Sequence, residues 1–213
     1  MRKAIGIVCV ILGVVCLLVS VGFVLFNHLE DKNAQEASQD VLRTAQLAIQ
    51  KQALPSQSPT DEAEPSVPEA EIEEPNPEMT TIIVEGYECI GILSIPVLEL
   101  ELPVFTDWSY EKLKTAPCHY YGSYKNGDFV IAGHNYKAHF ARLSELQPQD
   151  LVIFTDADGT VHQYEVFLLE TLTANATKEM ISSGFDLTLY TCTPGGSNRV
   201  TVRCLSKDFT ELQ

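Results

Sequence analysis

Between Ala4 and Phe26 the chain runs for 23 residues without a charged side chain. As an α-helix rising about 1.5 Å per residue, that run is roughly 35 Å long, enough to cross a hydrocarbon core of about 30 Å. It predicts a membrane span and confines folding in water to the residues after Phe26. Arg2 and Lys3 precede the run, whereas Glu30 and Asp31 come soon after it. That asymmetry predicts residues 1–3 in the cytoplasm, a single-pass signal anchor over residues 4–26, and everything later outside the cell membrane. A cleaved signal peptide would carry a shorter apolar region and a small-x-small cleavage site, and no such site follows Phe26.

Residues 27–52 place Ala34, Ala37, Val41, Leu42, Ala45, Ala48 and Ile49 at helical spacing among polar residues. They predict a juxtamembrane helix with a weak apolar stripe, either solvated all round or paired with a copy of itself. Composition then shifts. Between Lys51 and Thr80 there are six prolines and eight acidic residues, with no basic residue after Lys51. Such a segment buries too little apolar surface to fold, so residues 53–80 are expected to be a disordered linker. Extended as polyproline II, thirty residues reach about 90 Å at roughly 3.1 Å each, a stalk that would hold the remainder away from the bilayer. The whole chain carries a formal net charge of −15. A surface that acidic repels phosphate backbones and argues against nucleic acid as a partner.

From residue 81 to residue 213 short β-rich runs recur: Tyr87–Ile95, Leu100–Val104, Phe129–Ala132, Leu151–Thr155, His162–Leu169, Leu187–Thr191 and Arg199–Leu205. Turn formers separate them, among them Asn126-Gly127-Asp128 and Pro194-Gly195-Gly196. Helical patterns are brief, at Tyr110–Lys114, His139–Leu146 and Thr177–Ser182. Many short strands with few helices predict an all-β domain, an antiparallel sandwich or a closed barrel. About 130 residues suffice for one such core.

Four cysteines, Cys89, Cys118, Cys192 and Cys204, lie beyond the span. An even number in an oxidising compartment is compatible with two disulfides, but the spacings match no compact framework, so at least one has another role. Cys192 is distinguished by its setting, "TLYTCTPGGSNR", Thr188 to Arg199. Alternation puts Leu187, Leu189 and Thr191 on one face and Thr188, Tyr190 and Cys192 on the other. Cys192 stands where the strand ends, six turn formers come next, and Arg199 opens the next strand. Such a hairpin brings Arg199 within reach of Cys192. A guanidinium there favours the thiolate, or donates to an oxyanion forming on a substrate carbonyl. A cysteine nucleophile needs an acid/base partner, usually histidine. His134 is the candidate, because it ends the apolar run Phe129-Val130-Ile131-Ala132 after Gly133. His119 and His139 lie in polar stretches and are read as ordinary surface residues. Cys118, His119, His134 and His139 match no standard zinc spacing, so neither a metal nor a cofactor is expected.

With Cys192, His134 and Arg199 assembled, the sequence resembles the sortases, membrane-anchored cysteine transpeptidases of Gram-positive bacteria. "TLYTC" matches a Thr-Leu-x-Thr-Cys motif, and "NRVTV" supplies the arginine and its strand. "IGILSIPVLELELPV", "GDFVIAGHN" and "FARLSELQPQD" resemble, in order, the opening strands, the histidine segment and the stretch after it. The resemblance covers about Glu88 to Leu205. It implies a closed, mostly antiparallel β-barrel of about eight strands with short helices, and it implies a role for each site residue. Cys192 would attack a backbone carbonyl inside the C-terminal sorting signal of a secreted protein and hold it as a thioacyl enzyme. His134 would protonate the leaving amine and then take a proton from the incoming one, an amine of a peptidoglycan precursor or of a pilin. Arg199 would steady the oxyanion or the substrate backbone, with Thr191 and Asn135 as substrate-contacting neighbours. With reference pKa values near 8.5 and 6.5, thiol and imidazole would both be mostly neutral at pH 7, leaving the ion pair a minority. The residues between Gln163 and Leu187 are too few for the insertion of typical class B enzymes, no lid motif stands out as in class C, and a class B-like or class D/E-like enzyme is expected. An L,D-transpeptidase-like acyltransferase fits less well, because Thr191 stands where that family has glycine. A non-catalytic, membrane-stalked β-module is the alternative of another kind.

Overall fold

A computed structural model of the chain describes residues 2–53 and 79–207. Residues 54–78, which hold nearly all of the expected linker, and the last residues of the expected catalytic domain lie outside the described residues. The first element is one continuous helix, α1 (Arg2–Ala53), in which the expected span and juxtamembrane helix join without a break. Its apolar part is exposed from Ile11 through Phe26, and among the described residues it is the one helix long and apolar enough to cross a membrane.

Nine strands are described after it: β1 (Ile82–Val84), β2 (Tyr87–Ile95), β3 (Leu100–Phe105), β4 (Cys118–Tyr121), β5 (Phe129–Ala132), β6 (Leu151–Asp156), β7 (Val161–Thr173), β8 (Leu187–Cys192) and β9 (Asn198–Ser206). Two short helices, α2 (Tyr110–Leu113) and α3 (Thr177–Ile181), occupy connections. Hydrogen bonding runs β2-β3-β4-β5-β8-β9-β7-β6 and returns to β2, so eight strands close a barrel while β1 flanks β2. The pairs β3–β4 and β5–β8 are parallel and the others antiparallel. The expected closed, mostly antiparallel barrel is therefore the observed one. Closure depends on Gly91, where a bulge shifts the register of β2 with β3 and the pairing of β2 with β6 begins. A Cβ there would stand 2.2 Å from the Thr155 carbonyl oxygen. Only a residue without one lets the two strands meet.

β4 is not legible in the sequence as a strand. Its four residues follow Pro117 and precede Gly122, and its two tyrosines are partly exposed, so no alternation marks it. The barrel interior is filled by Ile90, Leu93, Phe129, Ile131, Leu187 and Leu189 with their neighbours, all buried. Leu187 and Leu189 form the inward face of β8, as alternation predicts.

A second apolar cluster lies outside the barrel and corrects the reading of α1 as a solvated helix. Val41, Ala45 and Ile49 pack with Val84, Cys89, Ile92 and Phe105 of β1, β2 and β3. Gln46 donates to Glu101 at 2.9 Å and Thr44 to Glu85 at 3.3 Å along the same contact. The buried positions Ala34, Ser38, Val41, Ala45 and Ile49 recur every three or four residues, one face of a helix. Alanine and serine make that stripe look weak on a hydropathy scale, yet their small side chains let helix and sheet approach closely.

Candidate active site

The parallel pair β5–β8 sets the site. Ala132 pairs with Tyr190, and the Gly133 N–H donates to the Tyr190 carbonyl at 3.0 Å, carrying the register one residue past the end of β5. Two residues beyond Ala132 stands His134, and two beyond Tyr190 stands Cys192. Cys192 is in turn the register partner of Arg199 across the β8–β9 hairpin. The fold thus brings the three predicted residues to one end of three neighbouring strands, although 58 residues of chain separate His134 from Cys192.

The backbone at His134 is fixed from both sides. A Cβ on Gly133 would lie 2.3 Å from the Phe140 ring, so glycine is what admits that fully buried ring beneath the chain. The Phe140 N–H then donates to the His134 carbonyl at 3.0 Å and closes the loop. Tyr136 stacks on the imidazole, with ring centroids 3.8 Å apart and planes 18° from parallel. Burial is the largest influence on His134 and pushes its pKa below the usual value; Glu30 and Asp31 pull it back up and Lys114 pushes it further down. The His134 Nδ1 is buried and without a hydrogen-bond partner among the described residues.

Cys192 is half-buried, whereas Cys89, Cys118 and Cys204 are buried and burial pushes each of those thiols up to about 12. All four are free thiols, which removes the two-disulfide alternative. Of the four barrel thiols, Cys192 is thus the one within reach of solvent. Cys204 sits in the barrel core, packed with the other inward-facing side chains.

Arg199 turns back onto its own hairpin, where Nη1 donates to the carbonyls of Gly196 at 2.9 Å and Asn198 at 3.1 Å. Its Nε and Nη2 have no partner among the described hydrogen bonds. The guanidinium borders a groove of about 250 Å³ lined also by Trp108, Tyr110, Tyr120, Met180 and Tyr190. Thr191, expected to contact substrate, is 3% exposed on the opposite face of β8, and its hydroxyl lacks a partner among the described residues. Asn135 lines a larger cleft of about 630 Å³ on the other side, between the His134 loop and α1, together with His28, Glu30, Asp31, His134 and Pro194. The Cys192–Arg199 hairpin thus borders both hollows: Pro194 lines the cleft and Arg199 the groove.

Several residues escape sequence reasoning. His139, read as surface, is fully buried, and burial with the nearby His134 pushes it down to about 4. Tyr136, stacked on His134, also meets the His139 ring at a steep angle, with centroids 5.6 Å apart. His119 is half-buried, with its ring nitrogens 3.1 Å from the Thr106 carbonyl and 2.8 Å from the Gly122 carbonyl. Arg203 is 1% exposed and anchors the groove wall. Its guanidinium donates to the carbonyls of Met180 at 3.2 Å and Glu179 at 2.7 Å in α3, to Thr188 at 3.0 Å, and to Glu170 at 2.7 Å. A charged residue inside the apolar alternation "VTVRCL" is the available signal. No group of three or more side chains suited to a metal converges among the described residues.

A closed, mostly antiparallel eight-stranded barrel with a cysteine and a histidine at the ends of adjacent parallel strands narrows the class of protein this can be. The model of the Sortase domain matches residues 93–206, more than half of the chain, and the chain belongs to the sortase family. Among solved structures it is similar to sortase A from Corynebacterium diphtheriae, with a TM-score of 0.51 and 23% identity over 60% of this chain and 64% of that one. Sortase C1 from Streptococcus agalactiae matches with a TM-score of 0.53 and 24% identity over 63% of this chain and 74% of that one. At those identities the likeness is one of fold, and the chain spans less than two thirds of the Corynebacterium structure. No curated protein matches the sequence.

Proposed function

We propose that the chain is a membrane-anchored cysteine transpeptidase acting on secreted proteins that carry a C-terminal sorting signal. The observation that supports this most is the parallel pairing of β5 with β8, which points the chain at His134 and at Cys192 towards the same end of the barrel, with Arg199 the register partner of Cys192. Cys192 Sγ attacks the scissile carbonyl carbon. The oxyanion takes hydrogen bonds from the Arg199 N–H groups that its own hairpin leaves unused. As the C–N bond breaks, the imidazole hands the leaving amine the proton it received from the thiol, and a thioester remains on Cys192. An acceptor amine, of a peptidoglycan precursor or of a pilin, then attacks that thioester while His134 takes up its proton. The aromatic groove beside Arg199 is suited to the sorting signal, with Tyr120, Tyr190 and Trp108 offering apolar faces to its side chains.

In this reading residues 4–26 anchor the protein as a single-pass span with residues 1–3 in the cytoplasm, and the domain beginning at residue 81 works outside the cell. Residues 27–52 are not a free spacer but part of the folded unit, because their buried face is covered by the barrel.

Alkylation of the full chain in detergent, with peptide mass spectrometry as the readout, tests the site. Iodoacetamide should modify Cys192 faster than Cys89, Cys118 and Cys204 by at least an order of magnitude, and His134→Ala should slow it. Equal rates at all four would remove the nucleophile. A peptide library incubated with the same protein should be cut at one motif, with Cys192→Ala inert; cleavage retained in that variant would end the proposal.

A further inference from the structure

We propose that Tyr136 is a positioning residue for the reaction: its ring fixes the orientation of the His134 imidazole, and its π face supports the imidazolium formed when the thiol gives up its proton. This rests on the transpeptidase reading and adds to it a residue beyond Cys192, His134 and Arg199.

An imidazole that carries protons is ordinarily kept in one orientation by a hydrogen bond at the ring nitrogen turned away from the chemistry. His134 lacks that bond, because its Nδ1 is buried and has no partner among the described residues. What lies against the ring instead is Tyr136, two residues on, with centroids 3.8 Å apart and planes 18° from parallel. Rings so placed touch across their faces, and the imidazole cannot turn over without driving its edge into the phenol. Tyr136 is itself held. Its carbonyl accepts the N–H groups of His139 at 3.0 Å and Ala141 at 3.1 Å. The N–H of the next residue, Lys137, donates to Asp31 of α1 at 3.2 Å. The fully buried His139 ring meets Tyr136 at 61°, with centroids 5.6 Å apart. The stack is thus backed by the core on one side and by the anchor helix on the other.

The contact also bears on charge. When the Cys192 S–H bond breaks, sulfur keeps the electron pair and the proton forms a new N–H bond on His134 Nε2, the nitrogen left to the reaction. The ring is then a cation in a place where burial opposes charge. Glu30 and Asp31 of α1 favour that cation, Lys114 at the end of α2 opposes it, and His28 and Lys137 line the same cleft. His139 in the same loop is coupled to His134 and disfavours a second charge beside its own. Tyr136 is the group in face contact with the ring, and an aromatic face attracts a cation. Burial pushes the phenol pKa up, so Tyr136 stays neutral and brings no charge of its own.

Three variants separate these roles. Tyr136→Phe keeps the ring without the hydroxyl, Tyr136→Leu covers the imidazole without a π face, and Tyr136→Ala uncovers it. Full-length protein in detergent is assayed for kcat and KM on a peptide selected from a library. The His134 titration is followed separately by NMR of the imidazole C–H groups, assigned with His134→Gln. Tyr136→Phe should stay within about twofold of the wild type in kcat and leave the titration midpoint in place. Tyr136→Leu should lower kcat roughly tenfold with KM within about twofold, and lower the midpoint by about half a pH unit, the scale of one cation–π contact. Tyr136→Ala should lower kcat as well but raise the midpoint, because water reaches the ring. Tyr136→Leu matching the wild type in both readouts, Tyr136→Leu and Tyr136→Phe equally impaired, or a loss confined to KM overturns the positioning role. Should Tyr136→Leu not fold, wild-type kcat in Tyr136→Ala overturns it as well. A wild type that cuts no peptide overturns the transpeptidase reading instead, and the titration still decides whether Tyr136 supports the imidazolium.

Discussion

His139 is an imidazole in a place where neither ring nitrogen meets a hydrogen-bond partner among the described residues, and that arrangement costs the protein something at low pH. Its pKa falls from the ordinary 6.5 to about 4, with burial as the first cause. A basic group whose folded pKa is depressed binds fewer protons folded than unfolded. Its neutral form supports the fold fully above pH 6.5, and that support is lost as the pH falls towards 4. The lost contribution is about 3 kcal/mol. Urea unfolding at pH 7 and pH 4.5 should show a larger drop for the wild type than for His139→Phe, which keeps a ring against Tyr136; equal drops in both proteins would contradict it. His134 is legible in the sequence because an apolar strand and a glycine lead into it. His139 is not, since it lies only five residues on beside Lys137 and Ala138 in a stretch that reads as polar loop. What buries it is distant in sequence: α1 at Ala34 and the turn at Thr115 come close enough to affect its titration.

Elements differ in how far their sequence announces them. β2 and β5 are legible to the residue, because β5 is a continuous apolar run and β2 a mostly apolar one, each bounded by turn formers. β7 is longer than its apolar core, extending to Thr173 through partly exposed residues that pair with β9. The wall of the groove depends on α3, five residues too short to hold itself together and fixed by Arg203 from β9. Arg203→Met should cost about 3 kcal/mol in unfolding free energy, because Glu170 and two helix carbonyls lose their donor. The wall should loosen as well. With a cleaved peptide as substrate, KM should rise more than kcat falls, whereas equal losses in both would mean that α3 is not positioned this way. Sequence alone marks Arg203 as unusual within its strand, but its partners come from β7, β8 and α3, and only the closed sheet brings those together.

At the level of the whole molecule, two contacts decide the shape: the seam where β2 meets β6, and the face where α1 meets β1, β2 and β3. The seam is testable at Gly91. Gly91→Ala places a methyl group 2.2 Å from the Thr155 carbonyl oxygen and should destabilise the barrel by about 3 kcal/mol, read as a lowered thermal midpoint. A midpoint within a degree of the wild type would show that the seam relaxes freely. Most strands can be read in advance because each is a local pattern; the closure cannot, because one glycine and a bulge carry it. The α1 face has a further consequence for where the protein can work. With residues up to Phe26 in a bilayer, Asp31 stands only about 8 Å further along the same helix, and the cleft it lines, which Val24 also borders, lies at the level of the lipid headgroups. Because the helix is docked on the barrel, the length of residues 54–78 does not set that height. A barrel held in that way would sample a thin layer at the membrane surface, where partners in the same bilayer would meet it at a high effective concentration and freely diffusing ones would not.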